Sequence, residues 1–134
     1  MSLKRVFSFS GSGDEKGQRR SVWTLTDTGS GQDVLTVTET VKDKSVELGI
    51  DGALRGEVFC AVKDELMALA SADADVTVDC AGLSYFSNTC IKAFIEVQRF
   101  MDRIRRGTLT LRRMPEEIMK GLKASGLSDS LMIE

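Results

Sequence analysis

The apolar positions of this chain change their period several times, and each change marks an element. Val34 to Val41 is rich in β-branched residues and alternates, Lys42-Asp43-Lys44 reads as a charged turn, and Ser45 to Asp51 alternates again. Together they predict a β-hairpin. Across residues 57–70, Phe59, Val62, Leu66 and Leu69 recur at helical spacing. Val76 to Cys80 follows as a short strand. Over residues 88–106, Cys90, Phe94, Val97, Met101 and Ile104 form the strongest helical stripe in the chain. That helix runs out in Arg103-Ile104-Arg105-Arg106-Gly107. The basic residues suit the negative end of its dipole, and Gly suits the left-handed C′ position.

Thr108 to Leu111 predicts a further strand. Pro115 fits the first turn of a helix that has Glu116 and Glu117 at its positive end and Ile118 and Leu122 on its apolar side. Gly126-Leu127 is a Schellman stop. Leu131 to Ile133 reads as a last short strand. From residue 34 the order is ββαβαβα. Strands alternating with helices require parallel neighbours, and the opening hairpin makes the sheet mixed, so the expected fold class is α/β. Ahead of residue 34 lie two glycine-rich polar stretches, Gly11 to Gly17 and Thr28 to Gly31, with Ser21 to Leu25 between them as a short strand. Residues 1–33 are therefore expected as a polar N-terminal extension or an added edge hairpin, and residues 34–134 as the domain.

At 134 residues the chain has the length of one domain. Aromatics are 6% of it, which leaves the core to Val, Ile, Leu, Met and Ala. The formal net charge is -2, but it is unevenly spread. Residues 34–87 carry four basic and ten acidic side chains, whereas residues 88–123 carry nine basic and four acidic. This places a basic face on the second half, either as a solvated helix surface or as a patch for an acidic protein. Arg99, Arg103, Arg105, Arg106, Arg112 and Arg113 are not interleaved with aromatics, so nucleic acid is not expected.

The chain contains no His, which removes the commonest general base and the commonest metal ligand. Cys60, Cys80 and Cys90 lack a C-x-x-C spacing and lie in apolar stretches. They are expected as buried small hydrophobes in a reducing compartment, without a zinc site. Gly13 to Gly17 does not match a phosphate-binding loop. Asp79 falls near the end of a predicted strand, where it is either a functional group or a turn former ahead of Gly82. No catalytic set assembles, so neither an enzyme nor a cofactor is expected. No apolar run approaches a membrane span and no secretory leader stands out, so the expected location is cytoplasmic.

The turn before the long helix holds the candidate chemistry. Ser87, Asn88 and Thr89 all suit a helix start, and either Ser87 or Asn88 serves as the cap. A hydroxyl there is also where an added phosphate is best tolerated, because free backbone N–H groups and the positive dipole end face it. The added charge would repel an acidic partner or break a close contact, which is how a switch works.

Several segments together resemble the STAS domain of bacterial anti-anti-sigma factors (anti-sigma factor antagonists). Ile50-Asp51-Gly52-Ala53-Leu54 resembles the family's G-x-L junction into its first helix. Val76 to Phe86 resembles its central strand and the segment after it. Ser87-Asn88-Thr89-Cys90-Ile91 falls on its D-S-S-G-L phosphorylation turn. Ile118 to Leu127 resembles its closing helix and "SGL". The resemblance implies a STAS-like mixed sheet with helices mainly on one face. It also implies a regulatory protein of transcription that binds an anti-sigma factor which is also a serine/threonine kinase of the ATPase-fold class. Thr89 falls on the phosphoacceptor, Asn88 on the preceding hydroxyl, Ser87 on the leading Asp and Cys90 on the Gly. The partner-binding residues implied are Ser87, Asn88, Thr89, Cys90, Ile91 and Lys92, with a second copy of the chain as a further partner. The alternative implied is an unphosphorylated STAS scaffold, or an accessory subunit of a stress-sensing assembly or an ABC lipid transporter.

Overall fold

Alternation along the strands sorts their residues onto two faces, and the chain puts its large apolar side chains on one of them. The computed structural model describes residues 3–11, 19–72, 74–104 and 107–134. Six strands, β1 (Leu3–Gly11), β2 (Arg19–Asp27), β3 (Asp33–Lys42), β4 (Ser45–Leu54), β5 (Asp75–Phe86) and β6 (Leu109–Arg112), lie in one sheet in chain order. The first four pair antiparallel in succession; β4–β5 and β5–β6 are parallel. Parallel neighbours need a crossover, and helices α1 (Gly56–Ser71) and α2 (Asn88–Ile104) supply the two. Helix α3 (Glu116–Ser125) and one 3-10 turn (Ser128–Ser130) complete the chain. This is the expected mixed α/β fold, with the order ββαβαβα from β3 onward.

One sheet face carries Trp23, Leu35, Val37, Leu48, Ile50, Val76, Val78 and Leu111, all buried. Their neighbours on the other face, Thr36, Thr38, Thr40, Glu47, Thr77, Asp79 and Arg112, stay half-buried. The helices cover the first face. Phe94 of α2 is fully buried and meets Phe59 of α1 at 4.9 Å between ring centres and Phe86 of β5 at 5.3 Å, edge-on. Few as they are, the aromatics thus occupy the middle of a core expected from aliphatic residues alone. Rings fill the wedge where two helices and a strand end converge, a space too wide for Val or Ala.

Residues 1–33 contribute more regular structure than the short strand Ser21 to Leu25. β2 spans Arg19–Asp27, and β1, which charged Lys4 and Arg5 hide from the pattern, pairs with it as the edge strand. The Thr28 to Gly31 stretch is a turn in which the Asp27 carboxylate accepts hydrogen bonds from the Gly29 N–H at 3.1 Å and the Ser30 hydroxyl at 3.0 Å. Most of the loop expected at Gly11 to Gly17 lies outside the described residues, as do Arg105 and Arg106 of the basic helix end. Gly107 beyond them has φ +64, and a Cβ on it would stand 2.1 Å from the Ala74 carbonyl. Glycine is required there by backbone contact as well as by conformation. α3 closes with the expected Schellman pair, Gly126 N–H to Lys123 and Leu127 N–H to Leu122, both 3.2 Å. The last strand expected at Leu131 to Ile133 reduces to a single bridge, Leu111 to Ile133. Among the described helices none is long and apolar enough to cross a membrane.

β1 is held down by a charged contact. The Arg5 guanidinium lies 4.0 Å over the Trp23 ring and its Nη2 meets Glu65 Oε2 of α1 at 3.4 Å. Glu39, on the same face of β3, has a buried Oε1 with no donor. Burial, then hydrogen bonding and repulsion from Glu65, push the Glu39 carboxyl up to about 7, against the pull of Arg5. A proton on Glu39 lets it donate to Glu65.

Two outcomes are expected. Phe94→Ala removes the ring shared by two aromatic contacts and costs about 3–5 kcal/mol in urea unfolding. Glu39 binds its proton more tightly when folded, so its contribution to stability is full below about pH 4.5 and is lost as pH rises through about 7. Urea midpoints should fall across that window in the parent chain, and Glu39→Gln should flatten the fall.

Candidate functional site

Three elements meet around residues 84–92, and the backbone explains why. β4 and β5 stay paired as far as Leu54 and Phe86 by absorbing register shifts at Gly49/Asp51 and Gly52/Ala53. Gly52 makes the second shift possible. Its φ is +130, and a Cβ there would lie 2.7 Å from the Val34 carbonyl. Both strands therefore end level, and the Ser87 N–H donates to the Leu54 carbonyl at 3.0 Å. Arg55 and Tyr85 come together, with the guanidinium 5.5 Å from the ring centre.

Ser87 is the cap of α2, which decides between the two candidates. Its Oγ accepts the Cys90 N–H at 3.2 Å and its carbonyl accepts the Ile91 N–H at 2.9 Å. Where the resemblance has Asp, Ser87 keeps a capping oxygen. Asn88, Thr89 and Lys92 are exposed, whereas Cys90 and Ile91 are buried. The six residues inferred for partner contact are thus brought together but split: three face outward, Ser87 is half-buried, and two enter the core. Burial pushes the Cys90 thiol up, against a hydrogen bond from Ser87. The first turn of α2 has no acidic side chain. The helix itself therefore supplies no charge to compensate the positive end of its dipole, next to Thr89.

A hollow of about 290 Å³ opens between this turn and α3, lined by Tyr85, Asn88, Ile91, Glu117, Ile118 and Gly121 among others. Tyr85 is 50% exposed. Neither the hollow nor the Arg55–Tyr85 pair was foreseen. The available signals were Gly121 inside a helical pattern and Tyr85 out of phase with buried Phe86.

Asp79 lies elsewhere. It sits mid-strand, since β5 runs on to Phe86 rather than ending at Cys80. It is not a strand-end group: its Oδ1 accepts the Ala81 N–H at 3.1 Å, the local bond of a turn former, and also takes the Arg113 Nε at 3.1 Å, while its Oδ2 pairs with Arg113 Nη2. Burial works to raise this carboxyl, but Arg113, the Ala81 N–H and nearby Arg112 outweigh it and hold it below its ordinary value. Arg113 has φ +55, which breaks the strand alternation and turns its side chain onto the same open face as Arg112, whose partner is Glu47. Part of the basic second half is therefore spent on the acidic first half. Cys60 also departs from expectation: it is exposed, since α1 buries Val58, Phe59, Val62 and Leu66 and turns Cys60 away from the sheet.

A family model described as "Mlab, STAS domain" matches residues 37–134, from β3 to the end. The chain belongs to the STAS domain family. No curated protein matches it. Among solved structures, this STAS domain is similar to an anti-sigma factor antagonist from Mycobacterium paratuberculosis, with 9% identity and a TM-score of 0.59 over 74% of this chain and 84% of that one. It is also similar to the anti-sigma factor antagonist SpoIIAA in its unphosphorylated form, with 16% identity and a TM-score of 0.61 over 75% and 88%. At these identities the shared property is the fold; β1 and β2 lie ahead of the residues that the family model matches.

Because Ser87 caps α2, Ser87→Ala should cost about 1 kcal/mol in denaturant unfolding. Ser87→Asp should restore stability, because a carboxylate both caps and complements the dipole.

Proposed function

We propose that this STAS domain is an anti-anti-sigma-like regulator that binds an anti-sigma factor through the turn Ser87–Lys92. The partner is a serine/threonine kinase of the ATPase-fold class, and Thr89 is the control hydroxyl. The observation that carries the reading is Thr89 itself: an exposed hydroxyl in the first turn of α2, behind a Ser87 cap, at a helix end without acidic side chains. Asn88, Thr89 and Lys92 make the outward contact. Cys90 and Ile91 hold the turn in place from the core, and the Tyr85-lined hollow receives an apolar side chain of the partner. A phosphate on Thr89 adds nearly two negative charges where the helix end tolerates them and where a close contact does not. The setting is transcription control in a bacterial cytoplasm.

A second reading keeps the binding surface and drops the phosphate, giving a scaffold or an accessory subunit of a stress-sensing assembly or an ABC lipid transporter. It is favoured by Ser87 standing where the resemblance has Asp, which changes the charge a kinase meets.

Incubation with the cognate switch kinase and ATP, followed by phosphosite mapping, separates the two. The first reading expects phosphate on Thr89 and none in Thr89→Ala. It also expects Thr89→Glu to weaken partner binding at least about tenfold, or ~1.4 kcal/mol. No incorporation by the cognate kinase sinks the switch and leaves the scaffold.

A further inference from the structure

The six-stranded sheet has two edges, and the chain treats them differently. At one, the C-terminal residues lie along β6: the Leu111 N–H donates to the Met132 carbonyl at 2.8 Å, and the Glu134 N–H donates to the Leu111 carbonyl at 2.8 Å. At the other, the nine-residue β1 has β2 on its inner side, and among the described residues no strand pairs with its outer side. Such an edge presents a row of unpaired backbone N–H and C=O groups. Of the four large apolar side chains that stand exposed among the described residues, two are neighbours on this strand, Phe7 at 63% and Val6 at 39%. Alternation puts them on opposite faces: Phe7 lies opposite buried Trp23, and Val6 lies opposite Thr24. A strand added along β1 thus meets an apolar side chain on each face. β1 lies ahead of the residues that the family model matches, so this edge is a feature of the chain outside the shared domain.

We propose that the outer edge of β1 pairs antiparallel with β1 of a second copy of this chain, joining two sheets into one about a two-fold axis at Val6. The charge pattern of the strand selects this partner and this direction. β1 carries its charge at one end, where Lys4 and Arg5 precede the uncharged run Val6 to Gly11. A parallel neighbour of the same sequence would set Lys4 against Lys4 and Arg5 against Arg5, and like charges directly opposite are destabilising. Antiparallel pairing centred on Val6 sets Lys4 opposite Ser8, Arg5 opposite Phe7 and Val6 opposite Val6. A two-fold contact requires one patch to complement itself, and this stretch does so with no like charges opposed. Arg5 already lies 5.0 Å from the Phe7 ring centre of its own strand, and the pairing brings the Phe7 ring of the second copy to the same face. Its Nη2 is meanwhile drawn inward to Glu65 at 3.4 Å. Lys4 and the register shift between Phe7 and Phe9 are devices that blunt an edge. Here Lys4 faces an uncharged residue, and the shift falls at the end of the paired stretch, which confines the new ladder to residues 4–8 of each copy. A contact one strand wide is small, so the association is weak and depends on concentration.

Analytical ultracentrifugation of the full chain over a dilution series tests the association. The expected result is a monomer–dimer equilibrium, with the dimer mass at the concentrated end and the monomer mass on dilution. Val6→Lys sets two ammonium groups across the axis and should weaken dimerisation at least about tenfold, with the circular dichroism of the parent chain retained. The register is read by disulfide trapping with diamide in a Cys60→Ser background, which removes the exposed native thiol. Val6→Cys places two thiols directly opposite each other, at a Cβ separation of about 5 Å, and should give a covalent dimer. Lys4→Cys leaves its two thiols about 13 Å apart along the strands and should not. A chain that stays monomeric at every concentration, its edge bare or taken by a strand of another protein, overturns the proposal. So does a dimer that Val6→Lys leaves unweakened, or one that Lys4→Cys traps and Val6→Cys does not. Should Val6→Lys disturb the fold, the trapping pair decides. The regulatory reading is tested separately, since phosphate on Thr89 makes no reference to β1.

Discussion

The parallel pairing of β4 with β5 is what the rest of the molecule depends on. It has to survive two register shifts to reach Leu54 and Phe86, and it does so because Gly52 can adopt φ +130 against the Val34 carbonyl. Were the pairing to stop at Gly49 and Asp79, Ser87 would lose its hydrogen bond to Leu54. α2 would then start without a fixed base. Cap, exposed hydroxyl and hollow all sit on the strand ends that this pairing levels. Gly52 thus has a physical reason, close backbone approach.

Charge in this STAS domain is organised by the sheet rather than along the chain. The acidic first half and basic second half come together where β6 lies beside β5, so Arg112 meets Glu47 and Arg113 meets Asp79. These pairs are part-exposed and contribute little stability each; their effect is to lower the bare positive charge of the open sheet face. On the helix-covered face the opposite problem arises. Glu39 and Glu65 lie close together with one guanidinium, that of Arg5, near both. The contact of Glu39 on β3 with Glu65 on α1 is therefore the pH-sensitive part of this face.

Much of this was legible in the residues. The β3–β4 hairpin, both crossover helices, the Schellman close and the position of the α2 turn followed from period, caps and glycines. The site was legible at the level of its loop: Ser87 to Lys92 were singled out together. What was not legible was the direction each side chain takes. Cys90 and Ile91 point into the core and Cys60 points out of it, because burial depends on which way a helix is rolled against its neighbours. An added edge hairpin was one of two expectations for residues 1–33, but the position of β1 was not legible because Lys4 and Arg5 interrupt its apolar pattern. In the fold Arg5 lies over Trp23 as a flat cation on a ring, which satisfies its charge without breaking the strand.

The sequence by itself determined the local elements, their order, and hence the STAS architecture, since period and punctuation are properties of neighbours in the chain. It also determined that a hydroxyl stands at the start of the longest amphipathic helix. Tertiary structure alone decided that Asp79 is spent on Arg113, that Glu47 is spent on Arg112, and that Arg5 lies over Trp23. Each of these pairs joins groups whose meeting depends on strand register or helix roll. Those quantities come from packing the whole core at once, and no window of residues contains them.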